Sequence, residues 1–224
     1  MNLKIKKVTE IKPNRFSLIL EKPQDFSFYP GQYLDVTLPI QDLDKRGGVR
    51  GFTIASSPTE PFLQITSKNG ISDFKKYMQR LKSDDQISVT HPAGTFILDE
   101  TEEAIFIAGG IGITPFRSMI KYAVDNNLNL QITLIYSNSD ENFLFKKELD
   151  KWQGKLASFK IIYHNSSESG RLNKDIILPI LKLLSSNSIF YIAGSHSFVN
   201  TLEQILLDLE VDPITIRYDR FDGY

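Results

Sequence analysis

The chain has 224 residues, 26 Lys and Arg against 27 Asp and Glu for a formal net charge of −1, and no cysteine. That length holds one large domain or two of about 100 residues, each able to bury its own core. The near-neutral balance gives no overall basic field for nucleic acid, and the lack of Cys excludes disulfides, Cys-held zinc, Cys-ligated iron–sulfur clusters and thiol nucleophiles within these residues.

Redox chemistry in such a chain must use a borrowed organic cofactor. The opening MNLKIKKVTE carries charges where a signal peptide needs an apolar core, so a cytoplasmic start is expected. The run Ala104 to Phe116 contains Gly109, Gly110, Gly112 and Pro115 and falls short of the ~18–20 residues that span a bilayer, so no membrane span is expected. In chain order, LKIKKVTEI, RFSLILEK, YLDVTLP after a Tyr29-Pro30-Gly31 turn, GFTIASSP, FLQITSK, QISVTHP and GTFILDE read as six or seven short strands. They predict a small antiparallel β-barrel or sandwich. One helix interrupts them, SDFKKYMQRLKS, with Ser72 as N-cap and Phe74, Tyr77, Met78 and Leu81 along one face.

After Asp99 buried strands alternate with helices. AIFIAG, a helix over 114–127, LQITLIYS, a helix over 142–153, FKIIYH, a helix over 173–185, IFYIAG, a helix over 197–209 and ITIRYD predict an α/β domain with a parallel sheet. The acidic stretch Asp99-Glu100-Thr101-Glu102-Glu103 marks the boundary, giving expected domains 1–98 and 99–224.

Two motifs carry chemistry. In IFIAGGIGITPFRSMI a buried strand runs through Gly109, Gly110 and Gly112 into a helix opening at Thr114-Pro115. This is either a plain glycine-rich turn or a backbone cradle for a pyrophosphate at a helix N-terminus. It is not the GxGxxG fingerprint, and no Walker lysine follows. In RGFTIASSP, Arg50 can grip a phosphate in bidentate fashion and Phe52 and Thr53 can meet a flat ring, or Phe52 and Thr53 are ordinary core and strand residues.

Together these motifs, with YPGQYLDV at 29–36, NGISDFKKYM, HPAGTF at 91–96 and the FDGY ending, resemble the ferredoxin–NADP reductase superfamily over nearly the whole chain. The resemblance implies an N-terminal flavin-binding β-barrel, a C-terminal nicotinamide-nucleotide domain, and transfer of hydride from NAD(P)H to FAD, with electrons going on to an unidentified acceptor, a small molecule or a redox protein. It implies that Arg50 neutralises the FAD pyrophosphate with help from Gly70, Ile71 and Ser72. It also implies that Phe52 covers the flavin ring, Thr53 bonds its N5 atom, and backbone near Ile65, Thr66 and Lys68 borders the ribityl chain. Gly109, Gly110, Gly112, Thr114 and Pro115 would face the nucleotide, joined by Ser137, Asn138, Ala193 and Gly194, and Phe221 would shield the second flavin face.

The sequence departs from the family in two places. His91 replaces a Gly in the barrel closure, and Ala193-Gly194-Ser195-His196 stands where the family often has Cys-Gly-Pro. The loop Ser137-Asn138-Ser139-Asp140-Glu141 has no Arg for a 2′-phosphate, which points to NADH. His91, His164 and His196 have no metal-ligand spacing, so no metal is assigned. The alternatives on the same fold are a flavin reductase that uses free flavin as substrate and a non-catalytic, nucleotide-binding regulatory member.

Overall fold

The structure is a computed structural model that describes residues 1–11, 13–40, 47–183 and 187–221. It divides into two compact units, Met1–Ile97 and Leu98–Gly223. The end of the FDGY tail and the last two residues of the helix expected over 173–185 lie outside the described residues.

In the first unit, alternating apolar and polar residues build β1 (Asn2–Ile11), β2 (Arg15–Glu21), β3 (Tyr33–Thr37), β4 (Val49–Thr53), β5 (Phe62–Lys68) and β6 (Gln86–Val89). They form one antiparallel sheet of six strands in the order β4-β3-β6-β1-β2-β5. The chain leaving β4 bonds to the opposite edge. Ala55 N–H donates to the Gln64 carbonyl at 2.8 Å, and Gln64 N–H to Ser56 Oγ at 3.0 Å, which curls the sheet into a barrel. Helix α1 (Asp73–Arg80) is capped by Ser72, whose Oγ accepts from Lys75 N–H, and buries Phe74 and Met78 in the same core as Leu18, Leu34 and Ile65. Each such side chain contributes about 1.5–3 kcal/mol by leaving water.

GTFILDE, the seventh candidate strand, is not one. Ala93 makes a single antiparallel bridge to Tyr33, Gly94 turns at φ 102°, and Ile97 N–H folds back onto the Thr95 carbonyl. Pro92 and the left-handed glycine stop a ladder that the apolar residues alone would favour.

The second unit follows in the order β7 (Ala104–Gly109), a 3₁₀ turn at Gly110–Gly112, α2 (Ile113–Asp125), β8 (Ile132–Asn138), α3 (Lys146–Gln153), β9 (Phe159–Asn165), α4 (Ser166–Ser169), α5 (Lys174–Leu181), β10 (Ile189–Ser195), α6 (His196–Asp208) and β11 (Ile216–Phe221). All strand pairs are parallel, in the order β11-β10-β7-β8-β9. The chain runs outward from β7 to β9, then returns to β10 and β11, so the strand order reverses between β7 and β10. In open α/β sheets the carboxyl ends of the strands at such a reversal are the place that takes ligands.

Helix α3 begins later than the periodicity predicts. Asp140 Oδ1 accepts from Asn142 N–H, Leu144 N–H is held by Tyr136 Oη, and Phe145 at φ 61° is left-handed, so helical geometry cannot start before Lys146. Among the described residues no helix is long and apolar enough to cross a membrane.

Candidate functional site

In the first unit the motif strand β4 sets Arg50 opposite Val36, Phe52 opposite Leu34 and Thr53 opposite Tyr33. Arg50 is buried, and its Nη1 donates to the carbonyls of Gly47 at 2.7 Å and Val49 at 2.6 Å. Its guanidinium carbon lies 5.2 Å from the centre of the Phe74 ring, so β4 and α1 meet through this cation. Phe52 is half-buried and stacks on Phe74, ring centres 6.0 Å apart. It is therefore both a core neighbour and a partly open face. Thr53 is buried.

On β5, Ile65 points wholly into the core, and the Thr66 hydroxyl is engaged with Ser17 Oγ at 2.6 Å and Gln64 Nε2 at 3.4 Å. Their side chains are committed to the barrel, which leaves backbone as what they can offer a ligand. Lys68 is exposed, and Ile71 is 90% exposed beside the Ser72 cap.

In the second unit the sheet register gathers the nucleotide candidates at the carboxyl edge. Gly109 pairs with Ser137, Ala193 with Ala108, and Phe221 with Ser195. Gly110 has φ 55°, a conformation L side chains rarely adopt, and its carbonyl accepts from Tyr136 Oη at 3.1 Å. A Cβ on Gly112 would sit 2.1 Å from the Ala193 carbonyl oxygen, and one on Gly109 or Gly194 would meet the Phe198 ring at 2.7 or 2.8 Å. Much of the glycine signature thus serves close packing of the turn against β10 and α6.

The first helical residue is Ile113, so Pro115 is third in α2, still within the turn that needs no N–H partner. Thr114 is buried, with Oγ1 donating to the Ile111 carbonyl. Asn138 is also buried, and its Nδ2 donates to both the carbonyl and carboxylate of Asp140 at 2.9 Å. That bond folds the 138–142 loop and sets Asp140 at the sheet edge.

Three residues to which the sequence assigns no role stand out in the structure. Lys75 is buried on α1; its Nζ donates to Ser67 Oγ and lies 5.2 Å from the Phe52 ring centre. Burial first, then the neighbouring Arg50 charge, push its ammonium down to about 8. Its spacing to Met78, i to i+3, places it on the flank of the apolar stripe, a signal the sequence does carry. Asp219 pairs in register with Ala193 on β11, and burial raises its carboxyl to about 6. His164, paired with Ser137 in register, shares a 3.1 Å hydrogen bond through Nδ1 with Ser137 Oγ. Its Nε2 is buried with no partner among the described residues, and burial lowers its pKa. No His, Asp and Glu cluster among the described residues has a metal-binding arrangement.

This geometry can be set beside known proteins. Residues 106–204 match the family described as the oxidoreductase NAD-binding domain. The structure aligns with ferredoxin-NADP+ reductase from Plasmodium falciparum at a TM-score of 0.84 and 21% identity, covering 98% of this chain and 95% of that one. The chain has the ferredoxin–NADP reductase fold. Among curated relatives, the flavohemoprotein of Bacillus subtilis (strain 168) is 27% identical over 89% of this chain and 54% of its own length. The glycine betaine monooxygenase reductase subunit of Pseudomonas aeruginosa (strain UCBPP-PA14) is 30% identical over 65% of this chain and 41% of its own. The chain thus spans about half the length of the curated relatives it matches. The matched oxidoreductase NAD-binding region lies within the five-stranded second unit, and the six-stranded barrel unit precedes it in the chain.

Proposed function

We propose that this chain oxidises a nicotinamide nucleotide, NADH in preference to NADPH, through FAD held on the barrel unit, and delivers the electrons to an external acceptor. The observation that carries the reading is the strand reversal between β7 and β10. It gathers Gly109, Gly110, Ser137, Ala193, Gly194 and Phe221 at one sheet edge, inside or beside the residues that match an oxidoreductase NAD-binding domain.

FAD, when bound, supplies the ring that accepts hydride and releases electrons. The donor set on the barrel suits such a dinucleotide: a buried guanidinium at Arg50, a capped helix start at Ser72, and the partly open Phe52 ring. Arg50, with Gly70, Ile71 and Ser72, holds the diphosphate. Phe52 and Thr53 meet the flavin ring, while backbone of Ile65, Thr66 and Lys68 lines the ribityl side.

On the second unit the Gly110 turn and the start of α2 take the nucleotide phosphates, with Thr114 and Pro115 shaping that turn. Ser137 and Asn138 border the ribose. Asp140 and Glu141 stand where a 2′-phosphate would need a cation, so like charge disfavours NADPH. Ala193 and Gly194, near the carboxyl end of β10, border the nicotinamide. Phe221, tied down by the contact of its carbonyl with His196 Nδ1 at 3.3 Å, is the aromatic that nicotinamide displaces.

The acceptor we propose is a protein-bound iron centre, in keeping with one relative being a flavohemoprotein and another a monooxygenase reductase subunit. The test is to incubate the purified protein with FAD, filter it through a gel, and add NADH or NADPH without oxygen. Retained yellow colour that bleaches faster with NADH is expected. Protein left colourless after FAD overturns the reading, and retained flavin that neither nucleotide bleaches overturns the reductase step.

A further inference from the structure

Lysines of the described chain commonly sit at the surface beside a carboxylate: Lys4 with Asp84, Lys146 with Asp150, Lys174 with Asp208. Lys75 does not. It is 8% exposed, and among the described residues no carboxylate pairs with it. Its partners are the neutral Ser67 hydroxyl and the face of Phe52. The charge that acts on it is the Arg50 guanidinium from β4; on its own helix Asp73 and Lys76 pair with each other at 3.6 Å, and Lys68 lies at the exposed end of β5. Its stem lies against Gly70, where an added Cβ would stand 3.0 Å from Lys75 Cγ, so the chain backbone directs the ammonium toward Ser67 and Phe52.

Two buried cations on adjoining elements repel, and burying an ammonium without a counter-charge is unfavourable. A buried ammonium held without a carboxylate, close to the capped start of its own helix, is suited to an anion. A breach of the usual burial rules of this kind marks a functional position.

We infer that Lys75 is a second anchor for the diphosphate of the flavin dinucleotide, acting beside Arg50, and that it couples flavin binding to uptake of a proton. The inference rests on the FAD reading above and adds to it a residue and a pH dependence. Without ligand, part of the Lys75 population is neutral above pH 8. A diphosphate restores the charged form, so binding draws in a proton there. FAD affinity is then level up to about pH 8 and falls above it, by at most tenfold per pH unit.

The experiment titrates the flavin-free full chain with FAD and with riboflavin, which lacks phosphate, at pH 7 and pH 9, for the wild type and Lys75→Met. Calorimetry of the wild type at pH 8.5, in two buffers of different ionisation enthalpy, counts the protons taken up. The expected result is that Lys75→Met weakens FAD binding roughly 10–100-fold at pH 7, leaves riboflavin binding unchanged, and removes the loss of affinity between pH 7 and pH 9. Wild-type calorimetry should show net proton uptake with FAD and none with riboflavin.

An equal loss of FAD and riboflavin binding in Lys75→Met, or FAD binding with no proton uptake in the wild type, overturns the assignment while leaving FAD as the cofactor. Absence of FAD binding in the wild type at both pH values overturns the assignment and the flavin reading together.

Discussion

Arg50 ties the barrel together and, on the proposed reading, would hold a ligand as well. Its Nη1 is bonded to the Gly47 and Val49 carbonyls, and its guanidinium rests on the Phe74 ring. The planar, permanently charged fork suits bidentate contact with a phosphate as well as with backbone carbonyls. Replacing Arg50 with Ala should lower FAD affinity roughly 10–100-fold, equivalent to about 1.5–3 kcal/mol for a charge-assisted contact. Arg50→Lys should fall between, because a point charge keeps the attraction and loses the bidentate geometry. Flavin fluorescence titration measures both, and undiminished FAD affinity in Arg50→Ala would remove this residue from the site. Phe221 belongs to the same scale. Phe221→Ala leaves the backbone ladder of β11 intact and removes the ring, so it should tighten binding of oxidised nicotinamide nucleotide, read by difference spectroscopy.

At the scale of elements, the glycine-rich turn between β7 and α2 packs closely on β10 and, on the proposed reading, also cradles a nucleotide, and substitution can separate the two. Gly112→Ala drives a Cβ into the Ala193 carbonyl, rigid backbone that cannot yield as a flexible side chain would. The expected loss is about 1–3 kcal/mol, typical of overpacking. Trp152, the single tryptophan of the chain, is buried on α3, so its fluorescence follows unfolding of the second unit alone. A lowered melting temperature in the nucleotide-free protein would show that packing is at stake; an unchanged one would return Gly112 to a purely ligand-binding role. Periodicity and turn residues make this β-turn-α unit readable in the sequence, as they do the six barrel strands and the cap at Ser72. They leave out the reason for each glycine, because the demand at Gly112 comes from β10, some eighty residues along the chain. Lys75 and Asp219 escape for a related reason: a charged residue reads as solvated until its neighbours are known. The late start of α3 depends on the left-handed Phe145, which no helical pattern foretells.

At the scale of the whole molecule, buried titratable groups give the two units different pH responses. Burial lowers the Lys75 pKa, so above about pH 8 the unfolded chain holds a proton that the folded barrel has released. Stability of the first unit therefore rises from about pH 8 toward the ordinary lysine value of 10.5. In the second unit Asp219 is raised from 3.8 to about 6, so the folded state holds the extra proton and stability falls as pH climbs through that window. His164 opposes it. Its lowered pKa means the unfolded chain protonates first, and stability is lost as pH drops below 6.5. Asp219→Asn should thus leave stability unchanged near pH 4 and increase it at pH 7, where the wild type carries a partly buried charge. His164→Gln should flatten the remaining loss below pH 6.5. Thermal melts followed through Trp152 between pH 4 and 8 measure both, and a stabilisation by Asp219→Asn that is equal at pH 4 and pH 7 would exclude Asp219 as the titrating group. The Lys75 effect should be missing from that Trp152 record and present in far-ultraviolet circular dichroism above pH 8, because its charge is buried in the barrel unit, which contains no tryptophan.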